Sequence, residues 1–112
     1  MDIEIKTWLY DIQIAILEIE SFLADQPSGS PLPQTDLKTR RAIERDMEII
    51  GEAMSRILQK NDSIILSNSR KIVDTRNRII HGYESVSDEI IRSIILQHLP
   101  GLKIEVEKLL NE

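Results

Sequence analysis

The chain has no cysteine, and aromatic residues make up only 4% of its 112 positions, with a single Trp and a single Phe. Without cysteine there is no disulfide and no thiolate metal site, and the chain fits a reducing cytoplasm. Gly and Pro number four each, so the composition is poor in what strands and tight turns use and favours helices over a sandwich. No apolar run approaches the roughly 20 residues that span a bilayer. The start, Met1-Asp2-Ile3-Glu4, lacks the basic flank and apolar core of a signal peptide. A cytoplasmic protein with no membrane partner is expected.

What is present is aliphatic and charged. Hydrophobic residues are 41% and charged residues 29%, a balance typical of a folded globular chain rather than a disordered one. The length suits one domain over residues 1–112, large enough to bury roughly two thirds of its unfolded surface. The net charge of −5 is not that of a duplex-DNA binder, whose affinity rests on neutralising phosphates. Yet eight of the 14 Lys and Arg lie in two short segments: Lys38, Arg40, Arg41 and Arg45, then Arg70, Lys71, Arg76 and Arg78. A local positive face could stand on an acidic body. Solvated helix faces with partners one turn away would give the same pattern.

Periodicity divides the chain into helices. Ile5, Trp8, Leu9, Ile12, Ile16, Ile19, Phe22 and Leu23 recur at steps of three and four, predicting a helix over 3–24 with Asp2 as N-cap and Trp8 as a core anchor. Three prolines and a glycine in 25–34 make an interhelix loop. Thr35 or Asp36 caps a second helix to residue 60, with a seam of Ile43, Met47, Ile50, Met54 and Ile57 suited to packing along another helix. Gly51 costs that helix about 1 kcal/mol relative to Ala, and close approach of a second helix would explain it. Glu44 and Glu52 read as surface carboxylates. Ile64-Ile65-Leu66 reads as one helical turn. A helix over 69–81 carries Ile72, Val73, Ile79 and Ile80 on its apolar side and stops at Gly82. Ser87 caps the next helix, with Ile90, Ile91, Ile94, Ile95 and Leu99 as its core face. Pro100-Gly101 interrupts it, and a last helix covers about 101–111. The expected fold is all-α, an up-and-down bundle of four to five helices.

Chemistry concentrates in Arg76-Asn77-Arg78-Ile79-Ile80-His81-Gly82-Tyr83. His81 is the side chain able to move a proton near neutrality. Arg76 offers a fixed fork of donors to a phosphate. Asn77, one turn before His81, can orient the imidazole or a substrate hydroxyl, and Tyr83 adds a ring for stacking. Arg78 and Arg45 are candidates for RNA backbone contact. The set suits RNA cleavage without metal or cofactor, in which a 2′-hydroxyl attacks the adjacent phosphorus. Five residues separate Arg76 from His81, so on an ideal helix they diverge by about 140°. Convergence needs the helix to unwind at Gly82 or a second copy of the chain across a two-fold axis. His98, before Leu99-Pro100, reads as a structural helix-end residue.

The order Arg-four residues-His-x-Tyr resembles the signature of HEPN-domain proteins, and more narrowly of HepT-like toxins. Ala42-Ile43-Glu44-Arg45, Glu48-Ile49-Ile50-Gly51-Glu52-Ala53 and Leu99-Pro100-Gly101-Leu102-Lys103 are also similar to that family. The resemblance implies a homodimeric helical bundle with paired motifs in one cleft. It implies a ribonuclease toxin of a type VII toxin–antitoxin system, partnered by a minimal nucleotidyltransferase antitoxin. Carried over, Arg76 and His81 are catalytic, Asn77 supports them, and Tyr83 receives AMP. A non-catalytic RNA- or nucleotide-binding subunit that docks on the nucleotidyltransferase is the alternative. The Pro-rich loop and the absence of a Trp before the motif depart from the family pattern without touching the motif.

Overall fold

The computed structural model describes residues 1–25, 36–81 and 88–112. These form five helices: α1 (Ile3–Ala24), α2 (Leu37–Lys60), α3 (Ser69–Ile80), α4 (Asp88–Gln97) and α5 (Leu99–Leu110). No strand occurs among the described residues, so the all-α expectation holds. No helix is long and apolar enough to cross a membrane among those residues.

The caps explain where α1 and α2 begin. Asp2 Oδ1 accepts from the N–H groups of Glu4 at 2.8 Å and Ile5 at 3.2 Å. Asp36, one of the two candidates, caps α2, accepting from the Thr39 N–H at 2.7 Å. Each carboxylate satisfies donors that the first helical turn leaves without partners. Both carboxyls are held below the usual carboxylate range, first by the backbone donor of Ile5 in one case and of Thr39 in the other.

α1 lies along α2, and α2 in turn along α3; α5 closes on α1, and α4 packs on α5 and, less extensively, on α3. The α2 seam is wholly buried: Ile43, Met47, Ile50, Met54 and Ile57 meet Ile5, Leu9, Ile12, Ile16 and Ile19 of α1 in one core, which Ile72, Ile91, Ile94, Leu102 and Val106 extend. Surface pairs stitch the elements. Lys60 reaches Asp2 and Glu4, and Lys103 on α5 bridges to Glu20 on α1 at 3.1 Å.

Three local expectations change. Residues 64–66 are not a helical turn: Leu66 is buried while Ile65 is exposed, and the stretch is held by Asn61 and by the Ser67 N–H donating to Glu105 on α5. Three apolar residues are too few to repay helix nucleation, and one of them is enough to plug the core. Asn68 then takes a left-handed conformation (φ 60°) to start α3, a geometry that Asn tolerates better than most residues. The α4–α5 break falls at His98, before Pro100 rather than at Pro100-Gly101. Proline cannot donate in mid-helix but is suited to a first turn, so the new helix starts ahead of it. Ile80, expected on the apolar side of α3, is 48% exposed. The caps expected at Gly82 and Ser87, and all but the first residue of the loop expected at 25–34, lie outside the described residues.

Candidate active site

The site is built where α3 crosses α2. A Cβ added at Gly51 would lie 2.8 Å from Arg76 Cγ, closer still to Arg76 Cβ, and 3.4 Å from the Ile72 carbonyl oxygen. The missing side chain therefore lets α3 settle directly on α2, with the stem of Arg76 over Gly51. This is the reason for a glycine in mid-helix.

Seated there, Arg76 is held at its tip from two sides. Its Nη2 donates to Oε2 of Glu52 in a close ion pair, and its Nη1 donates to Asn77 Oδ1 at 2.8 Å. Glu52 Oε1 accepts from Arg56 Nε at 2.8 Å, so one carboxylate bridges two guanidinium groups. Arg76 Nε is buried, with no hydrogen-bond partner among the described residues. Restraint of this kind reduces the entropy cost of presenting a planar fork to a phosphate.

Arg76 forms part of a cleft of about 280 Å³ between α1, α2 and α3. Trp8 and Asp11 of α1, Arg45, Glu52 and Arg56 of α2, and Ile80 of α3 also line it. Trp8 is thus more than a core anchor: half-buried against the core, it also forms a wall of the cleft. The arginines there are paired, Arg45 with Glu48 at 3.2 Å and both Arg56 and Arg76 with Glu52. The first basic cluster follows the same rule, with Arg40 and Arg41 both on Glu44. Glu44 and Glu52 are partners of cations and are not free surface carboxylates.

The predicted residues are only partly brought together. His81 is exposed at the C-cap of α3, its N–H donating to the Asn77 carbonyl at 3.1 Å. It is not among the described residues lining the cleft, as the divergence along the helix requires. Asn77 presents its side-chain oxygen to Arg76. Of the two RNA-contact candidates, Arg45 lines the cleft, while Arg78 is exposed on α3 outside that lining. Tyr83 lies outside the described residues. His98 sits half-buried at the α4–α5 junction, its Nε2 without a hydrogen-bond partner among the described residues, in keeping with a structural role.

The roles of two residues were not expected from the sequence. Glu52 is one, read as a surface carboxylate but found holding Arg76; the signal for this was its position beside Gly51, since a residue next to a close helix crossing borders that crossing. Asp46, adjacent to Arg45, is the other. It is 4% exposed, and its carboxyl is pushed up to about 7, first by burial, then by the hydrogen bond and charge of Glu18 on α1, against an opposing pull from Arg45. Its spacing was the available signal: Asp46 lies three residues after Ile43 and four before Ile50, on the face of α2 that faces the core.

The family described as Ribonuclease HepT-like matches residues 12–109. A Thermococcus cleftensis protein named “Probable ribonuclease HepT” is 35% identical over 107 residues, covering 93% of this chain and 94% of its own. “Putative RNase MJ0127” of Methanocaldococcus jannaschii is 26% identical over 113 residues, covering 97% of this chain and 89% of its own. No solved structure matches the chain.

Proposed function

The chain belongs to the HepT-like ribonuclease family, and from that premise we propose that it is a metal-independent endoribonuclease, the toxin of a type VII toxin–antitoxin pair. It works as a homodimer in which Arg76 and His81 of two copies face one cleft. The observation that carries this reading is the seating of Arg76: its stem lies over Gly51 and its tip is held by Glu52 and Asn77 at the wall of a cleft. An arginine restrained in this way suits a fixed anionic centre.

In the reaction, the 2′-hydroxyl loses its proton to one His81 as its oxygen attacks phosphorus. The 5′-oxygen leaves and takes a proton from the His81 of the other copy. Products are a 2′,3′-cyclic phosphate and a 5′-hydroxyl end. Arg76 stabilises the charge that gathers on the non-bridging oxygens. Two copies are required because each chain brings one His at this site and because Arg76 and His81 leave α3 in different directions. The exposed Ile80 beside them supports a covered surface. Arg45 and Arg78 steer the RNA backbone.

Regulation acts at Tyr83. A minimal nucleotidyltransferase adds AMP there, and the phosphate competes with RNA for Arg76 by placing negative charge and bulk two residues after His81. Both parts are testable together. Purified protein incubated with labelled RNA in the presence of EDTA should yield cyclic-phosphate ends, and Arg76→Ala and His81→Ala should abolish them while the dimer persists. Intact mass after co-expression with the nucleotidyltransferase should rise by AMP units, and Tyr83→Phe should prevent the rise. A His81→Ala protein that still cuts RNA would overturn the chemistry.

A further inference from the structure

The cleft holds more than a phosphate site needs. A ligand of phosphate alone would want cations and backbone donors, yet Trp8, with Lys60 Nζ 6.0 Å from the centroid over one face of its ring, lines one wall, and the next turn of α1 supplies a carboxylate, Asp11. Both project from one face of α1, three residues apart. Asp11 is exposed, and no ion pair or hydrogen bond to it occurs among the described residues. The other carboxylates of the cleft are already committed, Glu48 to Arg45 and Glu52 to Arg56 and Arg76. An unpaired acid beside a flat apolar surface disfavours phosphate and favours a group that is flat and carries N–H donors on its edge. The volume of about 280 Å³ is close to the lower bound of roughly 300 Å³ for pockets that enclose a small molecule.

We propose that this cleft is a nucleobase subsite, in which Trp8 stacks one base of the RNA and Asp11 accepts from that base's donor edge. The inference rests on the reading of Arg76 as the phosphate anchor, which puts the stacked base next to the scissile linkage. Guanine is the preferred base, because its N1–H and N2–H groups lie side by side and match the two oxygens of one carboxylate. Uracil offers one such donor flanked by two carbonyls, and those oxygens would face the negative charge of Asp11. The indole itself stacks any base, so Trp8 supplies affinity and Asp11 supplies the choice. Neither residue moves a proton in the reaction; both act on binding.

Trp8 is the chain's only tryptophan, so its emission reports on this subsite alone. The full-length His81→Ala protein, which binds without cutting, is titrated with GMP, AMP, CMP and UMP and with five-residue RNAs carrying one G or none. Saturable quenching that is strongest for the guanine ligands is expected, and Asp11→Asn, an exposed position that leaves the fold intact, should erase the ranking while keeping the quenching. Labelled RNA should bind Trp8→Leu about 5- to 150-fold more weakly, the equivalent of one lost stacking contact; Trp8→Phe should recover most of the loss. Circular dichroism checks that Trp8→Leu is folded. Absent quenching, or an Asp11→Asn protein with an unchanged ranking, would overturn the proposal. The two readings fail separately. RNA cut by the parent with no Trp8 response sinks the subsite alone. Guanine-selective quenching in a protein that cuts nothing leaves the subsite standing and sinks the catalytic reading.

Discussion

Substituting Gly51 by Ala sets two effects of known size against each other. In an exposed helix the change would stabilise by about 1 kcal/mol, because glycine loses more backbone freedom on folding. At Gly51 the new methyl would lie 2.8 Å from Arg76 Cγ and nearer to Arg76 Cβ. Those atoms belong to the base of the side chain, so a rotamer change cannot clear them and α3 itself must move. Relief to ordinary contact at 3.4 Å or more requires a displacement on the order of 1 Å. Overpacking of this kind costs about 1–3 kcal/mol, so the clash should win by roughly 1 kcal/mol and lower the melting temperature by several degrees. The same displacement pulls the Arg76 tip away from Glu52 and Asn77. A shift of about 1 Å at a charge-stabilising group can cost roughly 100-fold in rate. Gly101 is the internal control: it is exposed in α5 and nothing lies within 4 Å of an added Cβ, so Gly101→Ala should stabilise by up to about 1 kcal/mol and leave cleavage unchanged. Thermal melts and RNA cleavage rates on the parent and both variants decide the matter. A Gly51→Ala protein more stable than the parent and equally active would refute the close seating of Arg76 on α2.

Asp46→Asn tests the buried carboxyl on α2. Because the folded form holds its proton up to about 7 against an ordinary value of 3.8, folding binds a proton over that window, and the stability of the parent should fall as pH rises from about 4 to 7 and level off above it. The loss is on the order of a few kcal/mol at most; chemical denaturation of Asp46→Asn should show a flatter profile and higher stability at pH 8, and parallel curves would dismiss the idea. Glu52→Gln should change global stability by no more than about 1 kcal/mol, since the pairs it breaks are partly exposed, and should tighten RNA binding by freeing two cations while lowering kcat through a looser Arg76. Equal KM and kcat in the variant would show that Glu52 does not hold Arg76 in solution. Ile50→Ala, at the fully buried centre of the α2 seam, should cost about 2–5 kcal/mol, read from urea unfolding.

The helices were legible because their signals are local. A seam at steps of three and four can be seen in α2 before any partner is known, and Asp2 needs only its own next turn to be a cap. Pro100 was legible as a break but not as the second residue of a new helix, because that choice depends on how α5 packs on α1 and α4. Ile80 fitted an apolar pattern, yet the described residues leave it 48% exposed.

The sequence by itself determined the elements and the reactive residue types: five helical periods, the Asp2 cap, the Arg-His-Tyr order, and the divergence of Arg76 from His81 that follows from 3.6 residues per turn. Only the tertiary structure decided which residues share a cleft. Glu52 lies 24 positions before Arg76 and Trp8 lies 68 before it, and no periodicity links residues on different helices. Their meeting depends on how closely α3 can approach α2. The absent side chain at Gly51 sets that distance.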